Sequence, residues 1–246
     1  MAAPAANDQV APDRVASREH QQRLCEQACD QQATPPTALR PGASHETAAY
    51  VLARSSEMNL SRRIVGQMKI RDEQPEDAAA VRALQTAAFG DHGLRVADLV
   101  DDLRLLVADG DGLSVVAEED GELVGHLMFT KSLLDAPRRL VAVQVLSPVG
   151  VMPSRQGRGV GSAMIRRGLE QLSERDVPVV FLEGAPAYYS RFGFRPGGEL
   201  GFRRPSLRIP DAAFQALLLA AYEPWMTGTL VYAEAFWRND LVGLRA

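Results

Sequence analysis

The 246-residue sequence predicts an α/β fold, in which a mixed, twisted central sheet carries helices on both faces. Three observations carry that expectation. Residues 141–172 run from a β-branched and apolar strand through a glycine-studded turn into an amphipathic helix, the order of a strand-to-helix unit. Glu119-Asp120-Gly121-Glu122 is a hairpin turn between two apolar runs. A further apolar strand, residues 179–182, follows the helix.

The elements can be justified in order. Residues 1–67 are rich in Ala, Gln, Pro and Arg, and Pro35-Pro36 and Pro41-Gly42 break any long element. They are expected to be a disordered or loosely helical extension, with the domain occupying 68–246 and Met58 or Met68 as alternative natural starts. From Met68 a short strand leads to Gln74-Pro75-Glu76-Asp77, which opens a helix with Val81, Leu84 and Ala88 on one face; Pro75 suits the first helical position. Phe89-Gly90 closes it. A second helix, about residues 95–106, sets Val96, Leu99, Val100 and Leu103 against Asp98, Asp101 and Asp102, an acidic run read as a solvated face. Strands at 113–118 and 123–130 flank the hairpin turn, and His126 in the second reads as a satisfied core histidine rather than a base. In the strand 141–151, Pro148 cannot donate a ladder hydrogen bond, so the sheet should bulge or open there. Residues 214–219 are ambiguous. Their period and the preceding Asp211 favour a helix.

Composition narrows the function classes. A net charge of −4 offers no basic footprint for nucleic acid. No apolar run approaches the roughly 18 residues of a membrane span, and the first residues lack a signal-peptide pattern, so a cytoplasmic protein is expected. Cys25 and Cys29 both lie in the extension, with no histidine pair at metal-ligand spacing; no metal site is expected.

The chemistry concentrates in Gln156-Gly157-Arg158-Gly159-Val160-Gly161-Ser162. Glycines there allow φ > 0, and the free amides of the following helix add positive partial charge, so the turn suits a phosphate. A nucleoside-triphosphate loop would need a lysine after its glycines, and none is present. The dinucleotide fingerprint GxGxxG is replaced by GxGxG, leaving a nicotinamide-dependent oxidoreductase as a weak alternative. The spacing [QR]xxGx[GA], met by Gln156, Gly159 and Gly161, resembles the coenzyme A pyrophosphate turn of the GNAT superfamily of N-acetyltransferases. Ala187-Tyr188-Tyr189-Ser190-Arg191-Phe192-Gly193-Phe194 is similar to that superfamily's second motif, at the right order and distance. The fuller text, LSPVGVMPSRQGRGVGS then PAYYSRFGF, is similar to the branch called YhbS-like predicted acetyltransferases.

The resemblance covers about residues 68–236 and implies the GNAT fold, with residues 228–233 as a closing strand and residues 214–219 as another, against their helical period, so that stretch stays open. It also implies transfer of acetyl from acetyl-CoA to a primary amine by direct attack in a ternary complex. The coenzyme would lie on the amides of Gln156 to Ser162, with Arg155 and Arg158 near its phosphates. Its pantetheine arm would run between splayed strands along Val149, Gly150 and Val151. Backbone amides of residues 146–151 would then stabilise the developing oxyanion. Tyr189, four residues before Gly193, stands where the superfamily has its general acid; a phenol, with a pKa of about 10, stays protonated where a thiol of about 8.5 is leaving. Tyr188 is the rival. Gly184-Ala185-Pro186 replaces the branch's usual Gly-Asp-Pro, so Glu183 is the candidate base or solvent takes the proton. A non-catalytic acyl-CoA-binding sensor or interaction module is the alternative of a different class. The amine acceptor is not legible, and a homodimer stays open.

Overall fold

The computed structural model describes residues 68–108 and 110–243. The expectations for residues 1–67, including Cys25 and Cys29, lie outside the described residues. Strand β1 (Lys69–Asp72) pairs antiparallel with β2 (Gly112–Glu119), and β2 with β3 (Glu122–Asp135), across the hairpin read from Asp120-Gly121. Between β1 and β2 come a 3-10 turn (Pro75–Asp77), then α1 (Ala78–Ala88) and α2 (Gly93–Ala108). The first helical turn after Pro75 is thus wound tighter than α-helix, and the Asp77 carboxylate accepts the Gln74 amide at 2.8 Å to cap it.

Strand β3 continues into β4 (Leu140–Val151), which feeds α3 (Val160–Ser173) and the parallel strand β5 (Val179–Glu183). After the short α4 (Pro186–Tyr189) come β6 (Arg195–Pro196), β7 (Phe202–Arg203), β8 (Phe214–Leu218), β9 (Gly228–Val231) and α5 (Glu234–Arg238). The nine-stranded sheet runs β1-β2-β3-β4-β5-β8-β6, while β9 pairs with the far end of β3 and with β7. Residues 214–219, open between helix and strand in the sequence, are resolved as strand. Phe214–Leu218 is a strand that pairs along the whole of β5, whose amides would otherwise lack partners on that side.

Helices cover both faces, and each face has its own core. On one, Val81 of α1, Leu99, Val100 and Leu103 of α2 and Phe236 of α5 pack on Val116, Met128, Val143 and Phe181. On the other, Val160, Met164, Ile165 and Leu172 of α3 pack on Leu127, Phe129, Val180 and Leu182. Strand alternation sends Phe181 to the first face and Leu182 to the second. Glu183, next in line, returns to the face of α1, α2 and α5.

The acidic run of α2 is tied to arginines. Arg82 bonds Asp98 at 2.7 Å and Asp101 at 2.5 Å, and Asn239 donates to Asp102 at 2.7 Å. His126 is fully buried. Its Nδ1 accepts from Gln85 Nε2 at 2.6 Å, so its proton is assigned to Nε2, which lies 2.9 Å from Ser114 Oγ. Ser114 in turn donates to Glu73, whose other carboxylate oxygen accepts from Arg104 at 2.9 and 3.0 Å. Burial pushes His126 down, keeping it neutral. Burial alone would push Glu73 up, but its bonds to His126 and Ser114 and the charge of Arg104 outweigh that, holding it well below the usual carboxylate range. This network fastens α1 to the sheet, the satisfied-core reading of His126.

Candidate active site

The sheet opens where Pro148 stands. The β3–β4 register passes from Phe129 opposite Leu146 to Leu127 opposite Val149, so Ser147 and Pro148 together face Met128, as a bulge requires. On its other side β4 meets β5 only at Gln144 with Val180 and Val145 with Phe181. Beyond that point β5 stays with β8 and leaves β4. Residues 146–151, with Val149, Gly150 and Val151 still laddered to β3, therefore present their second backbone edge to a gap.

At the end of β4 the chain makes a 3-10 turn (Pro153–Arg155) and enters the glycine segment. Gln156 donates from Nε2 to the Val151 carbonyl at 3.2 Å, closing the turn on the strand. Gly157 and Gly159 have φ of +75° and +84°, where other L-residues are strained. Gly159 is the N-cap of α3 with no side-chain cap bond, so the amides of Val160, Gly161 and Ser162 point outward from the helix end. Arg155 and Arg158 differ. Arg155 Nε is held by Glu119 at 2.8 Å, whereas Arg158 is exposed.

The two tyrosines of α4 diverge, as consecutive helical residues must. Tyr188 is buried under α3, its hydroxyl 3.4 Å from Ser162 Oγ, and its ring carries the Arg191 guanidinium at 4.6 Å. Tyr189 is partly buried, with its ring against Gly184 at the end of β5 and Phe194 at 6.0 Å between centroids.

Glu183 ends β5, partly buried on the opposite face. It accepts a hydrogen bond from the Tyr232 hydroxyl at 2.8 Å and another from the Gly243 amide. Burial pushes its carboxyl up to about 7, against those two bonds and the charge of Arg208. Burial together with the carboxylate pushes Tyr232 up as well, so its hydroxyl remains the donor. A carboxyl poised there can exchange protons near neutrality.

Residues 69–197 match the family described as "Acetyltransferase (GNAT) domain". The chain is 36% identical over 162 residues to the uncharacterized N-acetyltransferase YjhQ of Escherichia coli K12, covering 64% of this chain and 88% of that protein. With YhbS of the same strain it shares 33% identity over 176 residues, 69% of this chain and 98% of the relative. The chain belongs to the GNAT acetyltransferase family. The solved structure of E. coli YhbS in complex with CoA aligns with a TM-score of 0.63 at 31% identity, covering 72% of this chain and 96% of that one. A GNAT family acetyltransferase from Brucella melitensis, solved with acetyl-CoA, aligns at 0.56 and 36%, covering 70% and 99%.

In this GNAT domain the β4 edge, the glycine turn and Tyr188 gather at one opening, while the Glu183 carboxylate is turned to Tyr232 on the face of α1, α2 and α5. Val149 to Val151 line its β4 edge, residues 155–162 form its turn, and Tyr188 with Ser162 sits at that turn. Tyr189 and Glu183 stand at the end of β5, against opposite faces of the sheet. Sequence reading missed what surrounds Glu183, namely Tyr232, Arg208 and Gly243. Tyr232 was visible only as a strand residue. No spacing relates it to Glu183, because the contact arises from β5, β9 and the chain end converging across the fold.

Proposed function

We propose that the chain is an N-acetyltransferase that moves the acetyl group of acetyl-CoA to a primary amine by direct attack in a ternary complex, in the cytoplasm. The observation that carries this reading is the divergence of β5 from β4 beside a glycine turn without a side-chain cap, with Tyr189 and Glu183 at the end of β5. The turn fits a diphosphate. Its helix-end amides point outward, and the space around Gly159 holds no atom within 4 Å of where a Cβ would lie. That two relatives were solved with CoA and acetyl-CoA supports the same reading.

Acetyl-CoA supplies the activated acyl group. The amides of Gln156 to Ser162, with Arg158, hold the phosphates, while the pairing of Arg155 with Glu119 buttresses the turn from the β2–β3 hairpin. The free edge of β4 at residues 146–151 orients the arm and offers amides to the carbonyl oxygen. Glu183 accepts a proton from the amine as its nitrogen bonds the carbonyl carbon. Tyr189 gives its hydroxyl proton to sulfur as the C–S bond breaks. Tyr188, at Ser162, serves the coenzyme end.

Single-turnover acetylation with an accepted amine tests the roles. Tyr189→Phe is expected to slow the chemical step by about 10² while acetyl-CoA affinity stays nearly constant. Tyr188→Phe should act on acetyl-CoA affinity instead. A Tyr189→Phe rate within about threefold of the parent would reject the acid assignment.

A further inference from the structure

Glu183 is held by parts of the chain that the acetyl-transfer reading does not use. After α5 the chain reverses. Asp240 takes φ +53° and the Leu241 amide bonds the Phe236 carbonyl at 2.9 Å. Asn239 anchors the reversal to α2 through Asp102, and Val242 is fully buried in the core beside Phe236. Arg208, in the loop between β7 and β8, then clamps the next two residues. Its Nε and Nη2 donate to the Val242 carbonyl at 3.0 and 2.7 Å, and Nε also reaches the Gly243 carbonyl at 3.1 Å.

The final link needs a glycine. Gly243 has φ +58°, and a Cβ there would lie 2.9 Å from the Arg208 carbonyl carbon, the Arg208 Cβ and the Ile209 nitrogen. Only a residue without a side chain lies that close to the 208–209 backbone, and its amide is the one that donates to Glu183. A fork of three hydrogen bonds, a buried valine and an obligatory glycine thus converge on a single carboxylate.

We propose that residues 239–243 are a strap, fastened by Arg208, that positions Glu183 and seals one side of it from water; this rests on the reading of Glu183 as the proton acceptor. The groups facing the carboxylate are Tyr232 from the end of β9, Arg208 from the β7–β8 loop and the Gly243 amide. Each has a definite sign. Burial raises the carboxyl midpoint, whereas the tyrosine hydroxyl, the glycine amide and the arginine charge each lower it. Loss of the arginine charge alone would therefore raise the midpoint, and only entry of water would lower it. Arg208→Ala separates the two effects by direction.

The experiment is a pH titration of the Glu183 carboxyl carbon by NMR in the full chain labelled with ¹³C-glutamate, Glu183→Gln assigning the signal. The parent midpoint is expected near 7. Arg208→Ala and Gly243→Val should each move it down by about one unit or more, towards the ordinary carboxylate range. Tyr232→Phe, which removes a donor and leaves the strap, should move it up. Far-UV circular dichroism and chain-wide amide spectra identify a variant that has not folded, and the other strap variant then decides. A midpoint that stays or rises in the folded strap variants overturns the strap. The acid limb of kcat/KM, measured in parallel, addresses the underlying reading. A carboxyl midpoint that falls without the limb following would retain the strap and reject Glu183 as the base.

Discussion

At Gly159 the backbone is held at φ +84° in open space, so the glycine serves conformation and approach rather than packing. Gly161 is the reverse case. A Cβ on it would lie 3.0 Å from the Tyr188 hydroxyl, so its bareness makes room for a side chain. Gly159→Val is accordingly expected to weaken acetyl-CoA binding by tenfold or more in calorimetry, about 1.4 kcal/mol, and unchanged affinity in a folded variant would move the coenzyme elsewhere. Glu183 makes a different kind of prediction. Its folded pKa of about 7 lies above the 4.5 of a free glutamate, so the folded chain binds this proton more tightly than the unfolded one. The stability it contributes is complete below about 4.5 and is lost as pH rises through about 7. Glu183→Gln cannot ionise, so urea unfolding should show it gaining on the parent between pH 5 and pH 8, by at most about 3 kcal/mol given the partial exposure. An equal difference at both pH values would mean that the site leaves the carboxyl unperturbed.

Among the elements, the ones legible in the sequence were those whose residues carry their own instructions. The period of Val81 and Leu84, the Asp120-Gly121 turn, and the proline at 148 each have a local physical meaning that the fold keeps. Phe214–Leu218 was not legible in that way. An apolar run such as FQALLL satisfies a helix and a buried strand equally, and the free edge of β5 decides between them. Strand β3 likewise runs past Thr130 to Asp135, although Lys131 and Ser132 look like an ending; Ser132 is buried and its Oγ accepts the Ala233 amide at 3.3 Å. The candidate site divides the same way. The glycine turn and the tyrosines announce themselves by spacing, whereas the partners of Glu183 are joined to it only by tertiary structure. The fastening of α2 to the sheet also depends on such a partner. Glu73 is almost fully buried, and Glu73→Ala would leave Arg104, Ser114 and His126 without their shared acceptor. A loss of about 3 kcal/mol in chemical denaturation is expected, and a change below about 1 kcal/mol would show that α2 is held by its apolar face alone.

For the whole molecule, both cores close among the described residues from Met68 onward. We propose that residues 1–67 are dispensable to the domain. A chain starting at Met68 should match the full chain in melting temperature and acetyl-CoA affinity, and a fall of more than a few degrees would show that the extension docks. No helix among the described residues is long and apolar enough to cross a membrane. The course of the chain through the two flanks of the gap has a consequence for how such a protein can change. The glycine turn and the tyrosine beside it come from residues 153–189, while Arg208, Phe214, Tyr232, Val242 and Gly243 all follow residue 200. Strand β8 from this later stretch, rather than β4, holds the free end of β5. Substitutions after residue 200 can thus alter what surrounds Glu183 while the glycine turn keeps its own sequence.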